Sequence, residues 1–161
     1  MLPGHLHNYP VAAALAQSHP TAILDGNDDH GELTLIVAPA SIVDVCRFLK
    51  YERQFNRLSG LTAVDWHPAD PRFEVVYLLH SIPQNKRIRL KCRVGENGEI
   101  ESVTGVWRSA NWYEREVFDL FGVRFANHPD LRRIMMPTDW EGHPLRKDYP
   151  VHGHKYSYQN E

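Results

Sequence analysis

A chain of 161 residues, 42% hydrophobic and 24% charged, has the size and balance of one globular domain with a real core. Its formal net charge of -2 supplies no overall field to gather nucleic acid or an anionic membrane, which leaves proteins and small molecules as the expected partners. The two cysteines, Cys46 and Cys92, form no CxxC pair, so they give no sign of a disulfide framework or a tetrahedral metal site and suit a reducing compartment.

The opening Met-Leu-Pro-Gly-His has neither the charged-then-apolar pattern of a secretory leader nor the Arg- and Ser-rich pattern of a transit peptide. Tyr9 to Ser18 has helical composition and is ended by His19-Pro20, since a residue before proline is pushed out of the α region. Ala22 to Leu24 reads as a short strand, and Asp25 to Gly31 as a turn cluster. Leu33 to Val37 is a strand with Thr34 as its one polar member, so both faces should be covered. Ser41 is placed to cap a helix running to about Phe55, with Ile42, Val45, Cys46 and Leu49 on its inner face.

Leu61 to Trp66 follows Ser59-Gly60 as a strand. Phe73 to His80, apolar on both alternating sets, suits a central strand. Lys86 to Val94 alternates, with Ile88, Leu90, Cys92 and Val94 on one side and Arg87, Arg89, Lys91 and Arg93 on the other. These two runs form an antiparallel hairpin with one basic face. The order helix, two strands, helix, three strands, helix predicts an α+β domain: a mostly antiparallel mixed sheet with helices packed on it, and an extended C-terminal arm. The expected division is a core over 1–106 and a signature helix with arm over 107–161. Apolar runs fall far short of the ~20 residues that span a bilayer, so membrane contact should be indirect.

Residues 107–150 hold eight of the seventeen aromatics. A segment rich in aromatics, arginine and carboxylates, yet broken by prolines and glycines, is more than a small domain should cover alone, and those residue types are enriched at interfaces. Asn111 and Glu114 have capping-box spacing, and Glu114 and Glu116 suit the positive end of a helix dipole. Arg115 precedes Asp119 by four residues, which permits an ion pair along the helix. Tyr113, Val117, Leu120 and Phe121 share an apolar face, and Gly122 can end the helix. Asn127-His128-Pro129-Asp130 reads as a second helix start.

The run Asn111-Trp112-Tyr113-Glu114-Arg115-Glu116-Val117-Phe118-Asp119-Leu120-Phe121-Gly122-Val123-Arg124-Phe125, followed by Asn127 to Ile134, closely resembles the signature of the 30-kilodalton subunit family, the C subunits of the NADH:quinone oxidoreductase called complex I. Ser102 to Trp107 and Asp139 to Pro150 are similar to the same family, and Leu61 to Asp65 more weakly so. The resemblance implies a non-catalytic structural subunit of the hydrophilic arm of a proton-translocating complex. Its implied partners are the large quinone-site subunit and adjacent iron–sulfur subunits, on the cytoplasmic side of a bacterial inner membrane. It implies no cofactor in this chain, with flavin mononucleotide and iron–sulfur clusters carried by other subunits. Interface contacts are then expected at Trp112, Glu114, Arg115, Asp119, Phe121, His128, Asp130, Arg132, Arg133, Trp140 and Arg146, where arginines fork onto carboxylates across subunits. After Pro150 the residues Val151 to Glu161 depart from the family's apolar-then-acidic tail, and part of the partner contact is expected to go with it.

Other readings compete. Glu114, Asp119 and His128 could build a freestanding hydrolase, or be a solvated charged face. Arg132 and Arg133 could bind phosphate, but they lie after the proposed helix start. His143, His152 and His154 invite a metal, with no carboxylate or cysteine at familiar spacing. The basic stripe of Lys86 to Val94 lacks the interleaved aromatics of an RNA reader. Within the family, the equivalent subunit of a membrane-bound hydrogenase, formate hydrogenlyase or ferredoxin-driven complex is the alternative.

Overall fold

Alternation at period two sets the architecture, and the computed structural model, which describes residues 3–152, carries it through. In chain order come α1 (Pro10–Ser18), β1 (Ile23–Asp29), β2 (Glu32–Val37), α2 (Ile42–Arg53), β3 (Arg57–Asp65), β4 (Phe73–Ser81), β5 (Lys86–Val94), β6 (Glu99–Glu101), α3 (Ala110–Phe121) and β7 (Arg124–Ala126). Five strands form one sheet in the order β1-β2-β5-β4-β3. Its pairs are antiparallel except β2 with β5, which is parallel. β6 and β7 form a separate parallel ribbon. The α+β class and the mostly antiparallel mixed sheet are as the sequence implies.

One face of the sheet is a continuous apolar floor. Leu33 and Leu35 stand beside Ile88 and Leu90, which stand beside Leu79 and Tyr77, with Leu61 next in line. All are buried, and Val45, Cys46 and Leu49 of α2 close over them. Cys46 and Cys92 are free and buried; burial pushes the Cys92 thiol up to about 12, so both behave as small hydrophobes.

Four local expectations are corrected. The acidic run Asp25 to Asp29 is strand, not turn: it pairs with Glu32 to Ile36 as the sheet's edge, where its acidic side chains face water. The turn shrinks to His30 and Gly31, both at positive φ (55° and 80°), a two-residue hairpin loop. Ser59-Gly60 is not a boundary but a register shift inside β3, which begins at Arg57. Ser41 makes no side-chain cap; a short 3-10 turn over Pro39–Ser41 leads into α2 instead. Asn127 to Ile134 forms no helix, and the chain crosses it in turns and bends.

α3 packs along β3, and Trp107, Ala110, Val117, Val123 and Phe125 belong to the same buried cluster as the sheet. A division at residue 106 therefore runs through the core.

Gly26 is enclosed within β1: a Cβ there would meet the Thr34 carbonyl oxygen at 2.6 Å and Leu6 and Leu35 at 3.0 Å. Gly26→Ala should therefore destabilise the chain by about 2 kcal/mol, read as a lowered urea midpoint with unchanged slope; an unchanged midpoint would show that the edge strand yields freely.

Candidate functional site

Asp119 organises the site. It sits on the inner side of α3, wholly buried, and water cannot reach its carboxylate. Oδ2 accepts the backbone N–H groups of Ile134 (2.9 Å), Met135 (2.7 Å) and Met136 (2.9 Å), and Oδ1 accepts Arg133 Nη1 at 2.6 Å. Burial alone would raise its pKa; the three N–H groups and Arg133 outweigh that and hold it below the usual carboxylate range. The expected pair with Arg115 does not form. Arg115 instead donates to the carbonyls of Arg132 (3.1 Å) and Arg133 (3.4 Å) and lies over the Trp112 ring, 5.2 Å from its centroid.

The last turn of α3 exposes carbonyls that need donors. The arm supplies them: His143 Nδ1 to Asp119 O (2.9 Å), Leu145 N to Leu120 O (3.0 Å) and Arg146 Nε to Phe121 O (2.7 Å). The cationic Arg146 also suits the negative end of the helix dipole. Gly122, at φ 78°, turns the chain here, as the sequence implied; a Cβ would strike Arg146 and His143 at 2.6 Å.

Glu114 is not a capping residue. It is 0% exposed, with Ser102 Oγ donating to Oε2 at 2.6 Å and Val103 N–H donating to Oε1 at 2.7 Å. Burial pushes its carboxyl up to about 7, against the pull of those two donors. His128 stands 3.9 Å away. Its Nδ1 accepts the Asp130 N–H at 3.0 Å, so Nε2 carries the proton and donates to the Asn111 carbonyl at 3.2 Å. Burial holds its pKa below the usual imidazole value. Glu114 and Asp119 thus face inward and present no surface to a partner. Asp130 and Arg132 pair with each other at 2.9 Å on the outside, and Trp112 is 64% exposed. Trp140 and Phe121 are half-buried, Phe121 against the core. The tail histidine His154 lies outside the described residues.

A second anchor joins two runs that carry the family resemblance, Leu61 to Asp65 and Asp139 to Pro150, through Arg72, which the sequence did not single out. Asp65 ends the inward set Leu61, Ala63, Asp65, and Arg72 grips it with Nε to Oδ1 at 2.9 Å and Nη2 to Oδ2 at 2.8 Å. Arg72 also donates to Asp148 (2.5 Å) and Glu96 (2.9 Å), and Lys147 N–H donates to Asp65 Oδ2 at 2.9 Å. The Arg72 hydrogen bonds, with help from the Lys147 and His67 N–H groups, hold Asp65 far below the usual carboxylate range despite burial. A carboxylate on the buried side of a strand demands a partner, and that was the available signal.

The site holds charges in place by neutralising each within the chain, so it clasps the arm to the domain through two ionic anchors. Matched against known families, the chain fits the model described as "Respiratory-chain NADH dehydrogenase, 30 Kd subunit" over residues 35–155. The fold and site therefore define a subunit of an oxidoreductase complex. More particularly, the chain belongs to the family of the 30-kDa subunit of respiratory-chain NADH dehydrogenase. It is 53% identical over 148 residues to the C subunit of the NADH-quinone oxidoreductase of Geotalea uraniireducens, covering 91% of this chain and 90% of that one. The C subunit of Geobacter sulfurreducens is also 53% identical over 148 residues, covering 91% of each chain. The second C subunit of Rhizobium etli is 50% identical over 145 residues, 89% of this chain and 78% of that one. A chain of the membrane-bound sulfane sulfur reductase, an archaeal respiratory membrane complex, shares the fold with a TM-score of 0.75 and 27% identity, covering 90% of this chain and 86% of that chain. Among the described residues no helix is long and apolar enough to cross a membrane.

Two outcomes follow from the buried carboxylates Glu114 and Asp65. The folded value of Glu114, about 7, lies above its ordinary 4.5, so the fold favours the protonated acid. That stabilisation is complete below pH 4.5 and disappears as pH rises through 7, a loss on the order of 3 kcal/mol. Glu114→Gln, whose amide oxygen can accept the Val103 N–H and whose NH2 can donate to Ser102 Oγ, should flatten the pH dependence of urea stability in that window; an unchanged slope would place the titration elsewhere. Arg72→Met strands the buried Asp65 and should cost about 3–5 kcal/mol. Asp148→Asn, at the half-exposed end of the same network, should cost under about 1 kcal/mol. Equal losses in thermal melts would mean that the arm, not the Asp65 pair, sets the cost.

Proposed function

We propose that this chain is a non-catalytic structural subunit of the peripheral arm of a proton-translocating NADH:quinone oxidoreductase. It supports electron transfer from NADH to quinone by holding other subunits in fixed geometry. Its neighbours are the large quinone-site subunit and adjacent iron–sulfur subunits, and it sits peripherally on the cytoplasmic side of a bacterial inner membrane. It carries no cofactor of its own; flavin mononucleotide and iron–sulfur clusters belong to other subunits.

One observation carries this reading. Asp119, Arg133 and Arg146 are turned inward or along the helix end and satisfied, while Trp112, Met135 and Leu145 remain in solvent along the same segment. A segment fixed so firmly from below, with large apolar side chains left above, is built for another surface to cover. The names of the relatives agree with the NADH-linked complex. The likeness to the sulfane sulfur reductase chain favours a second reading, the equivalent subunit of a related membrane-bound complex with another donor and acceptor, including a hydrogenase or ferredoxin-driven one. The companions recovered with the chain distinguish the two.

Purification of the tagged chain from its host in mild detergent should bring down quinone-site and iron–sulfur subunits. Trp112→Ala with Leu145→Glu should reduce that recovery by about tenfold or more while leaving the melting temperature of the free chain unchanged. Undiminished recovery, or a flavin or cluster spectrum from the isolated chain, would overturn the assignment.

A further inference from the structure

The sheet has a second face, which no helix covers. Across β3, β4 and β5 the residues Arg57, His80 and Arg87 stand side by side in register on it. The next rows bring Leu78 beside Arg89, then Val76 beside Lys91, then Val64 beside Glu74 and Arg93. Five cations, Arg57, Arg87, Arg89, Lys91 and Arg93, share this face with four carboxylates: Glu32 and Glu74, and Asp25 and Asp29 at the β1 edge. Glu32 takes Arg89 at 2.9 Å, and Glu74 takes Lys91 at 3.0 Å and Arg93 at 3.7 Å. Those two acids are therefore used, and at the far β1 edge Asp29 lies 2.6 Å from His30 Nδ1 while Asp25 accepts the Gly26 N–H at 2.8 Å. Arg57 and Arg87 have no ion pair among the described residues and are exposed at the mouth of a groove of about 370 Å³. Between them, His80 Nε2 is buried and has no hydrogen-bond partner among the described residues. In a chain of net charge -2 this is a locally cationic hollow with its acceptor missing.

We propose that this face docks an acidic, partly apolar segment of a companion subunit, with a carboxylate seated between Arg57 and Arg87. Charge complementarity selects the occupant. Two arginines flanking an imidazole suit a carboxylate, which can take bidentate hydrogen bonds from a guanidinium. The adjoining floor is apolar, with Leu78 38% and Val64 37% exposed, which suits a protein segment with alternating acidic and aliphatic residues. A nucleic acid strand would need open aromatic platforms. Trp66, at the far end of this face beside Arg93, is already overlaid by Arg93 and Lys147, at 5.6 and 6.0 Å from its ring centroid. The surface lies on the side of the sheet opposite α2 and α3, so it is distinct from the contact made by the arm. It would let the chain hold two neighbours at once. This inference rests on the chain being one subunit among several.

The test uses the full chain. A short synthetic peptide alternating Glu and Leu, titrated calorimetrically, should bind. Arg57→Glu with Arg87→Glu should weaken it about tenfold or more, whereas Arg47→Glu with Arg108→Glu, on another surface, should not. Tighter binding of an oligouridylate of equal charge would overturn the proposal, as would self-association abolished by the same double reversal. In the host, the Arg57→Glu, Arg87→Glu chain should recover fewer companion subunits at an unchanged melting temperature. If the unaltered chain recovers companions and the variant recovers them equally, only the groove assignment fails. If the unaltered chain recovers none, the assignment to a complex itself fails.

Discussion

A carboxylate removed from water must be given donors or be protonated, and Asp119 is given four. Three consecutive backbone N–H groups and one guanidinium converge on it from a segment with no regular structure of its own. That convergence replaces the hydrogen bonds a helix would have supplied to Ile134, Met135 and Met136. It fixes where the arm leaves α3, and Arg133, held there, reaches on to the Gly142 carbonyl at 2.9 Å. The carbonyls at the end of α3 then bind the next part of the arm, and the Asp65–Arg72 pair binds its last part through Asp148 and Lys147. An irregular chain is thereby given a definite course by side chains of regular elements.

The same logic separates what was legible in the sequence from what was not. The β4–β5 hairpin was legible because period-two alternation has one interpretation when one face is buried: Ile88, Leu90, Cys92 and Val94 lie inside as the pattern demands. The αL turn at Gly122 was legible because few other residues adopt that backbone. β1 was not, since Asp25 to Asp29 has turn composition and becomes strand only because β2 offers an unpaired edge. The acidic residues of α3 were misread for a related reason. Glu114 and Asp119 carry sequence signals of exposure, capping and helix-surface pairing. Their actual partners are Ser102 and Val103 for the first, and the backbone N–H groups of Ile134, Met135 and Met136 for the second. These lie up to seventeen positions away and leave no local trace.

The two faces of the molecule follow different chemistry. Beneath the sheet, packing is apolar; His128 and the Cys46 and Cys92 thiols are held neutral there, and Tyr77 Oη and Trp107 Nε1 are buried with no hydrogen-bond partner among the described residues. Above it, the surface is charged and laced with cross-strand pairs, each of which contributes little by itself. A family defined by assembly has reason to keep both. The buried anchors set the shape of the arm, and the open face offers a second place where recognition can be built from charge.

The parallel pairing of β2 with β5 has a consequence for how the chain comes into being. Leu33 meets Ile88, so the amino-terminal hairpin cannot find its place until the fifth strand has been synthesised and has left the ribosome. The meander of β3, β4 and β5 involves only neighbouring strands and can close early. Until it does, the nascent hairpin carries an open strand edge, and the row of aspartates along β1 guards its other margin against pairing with a stranger.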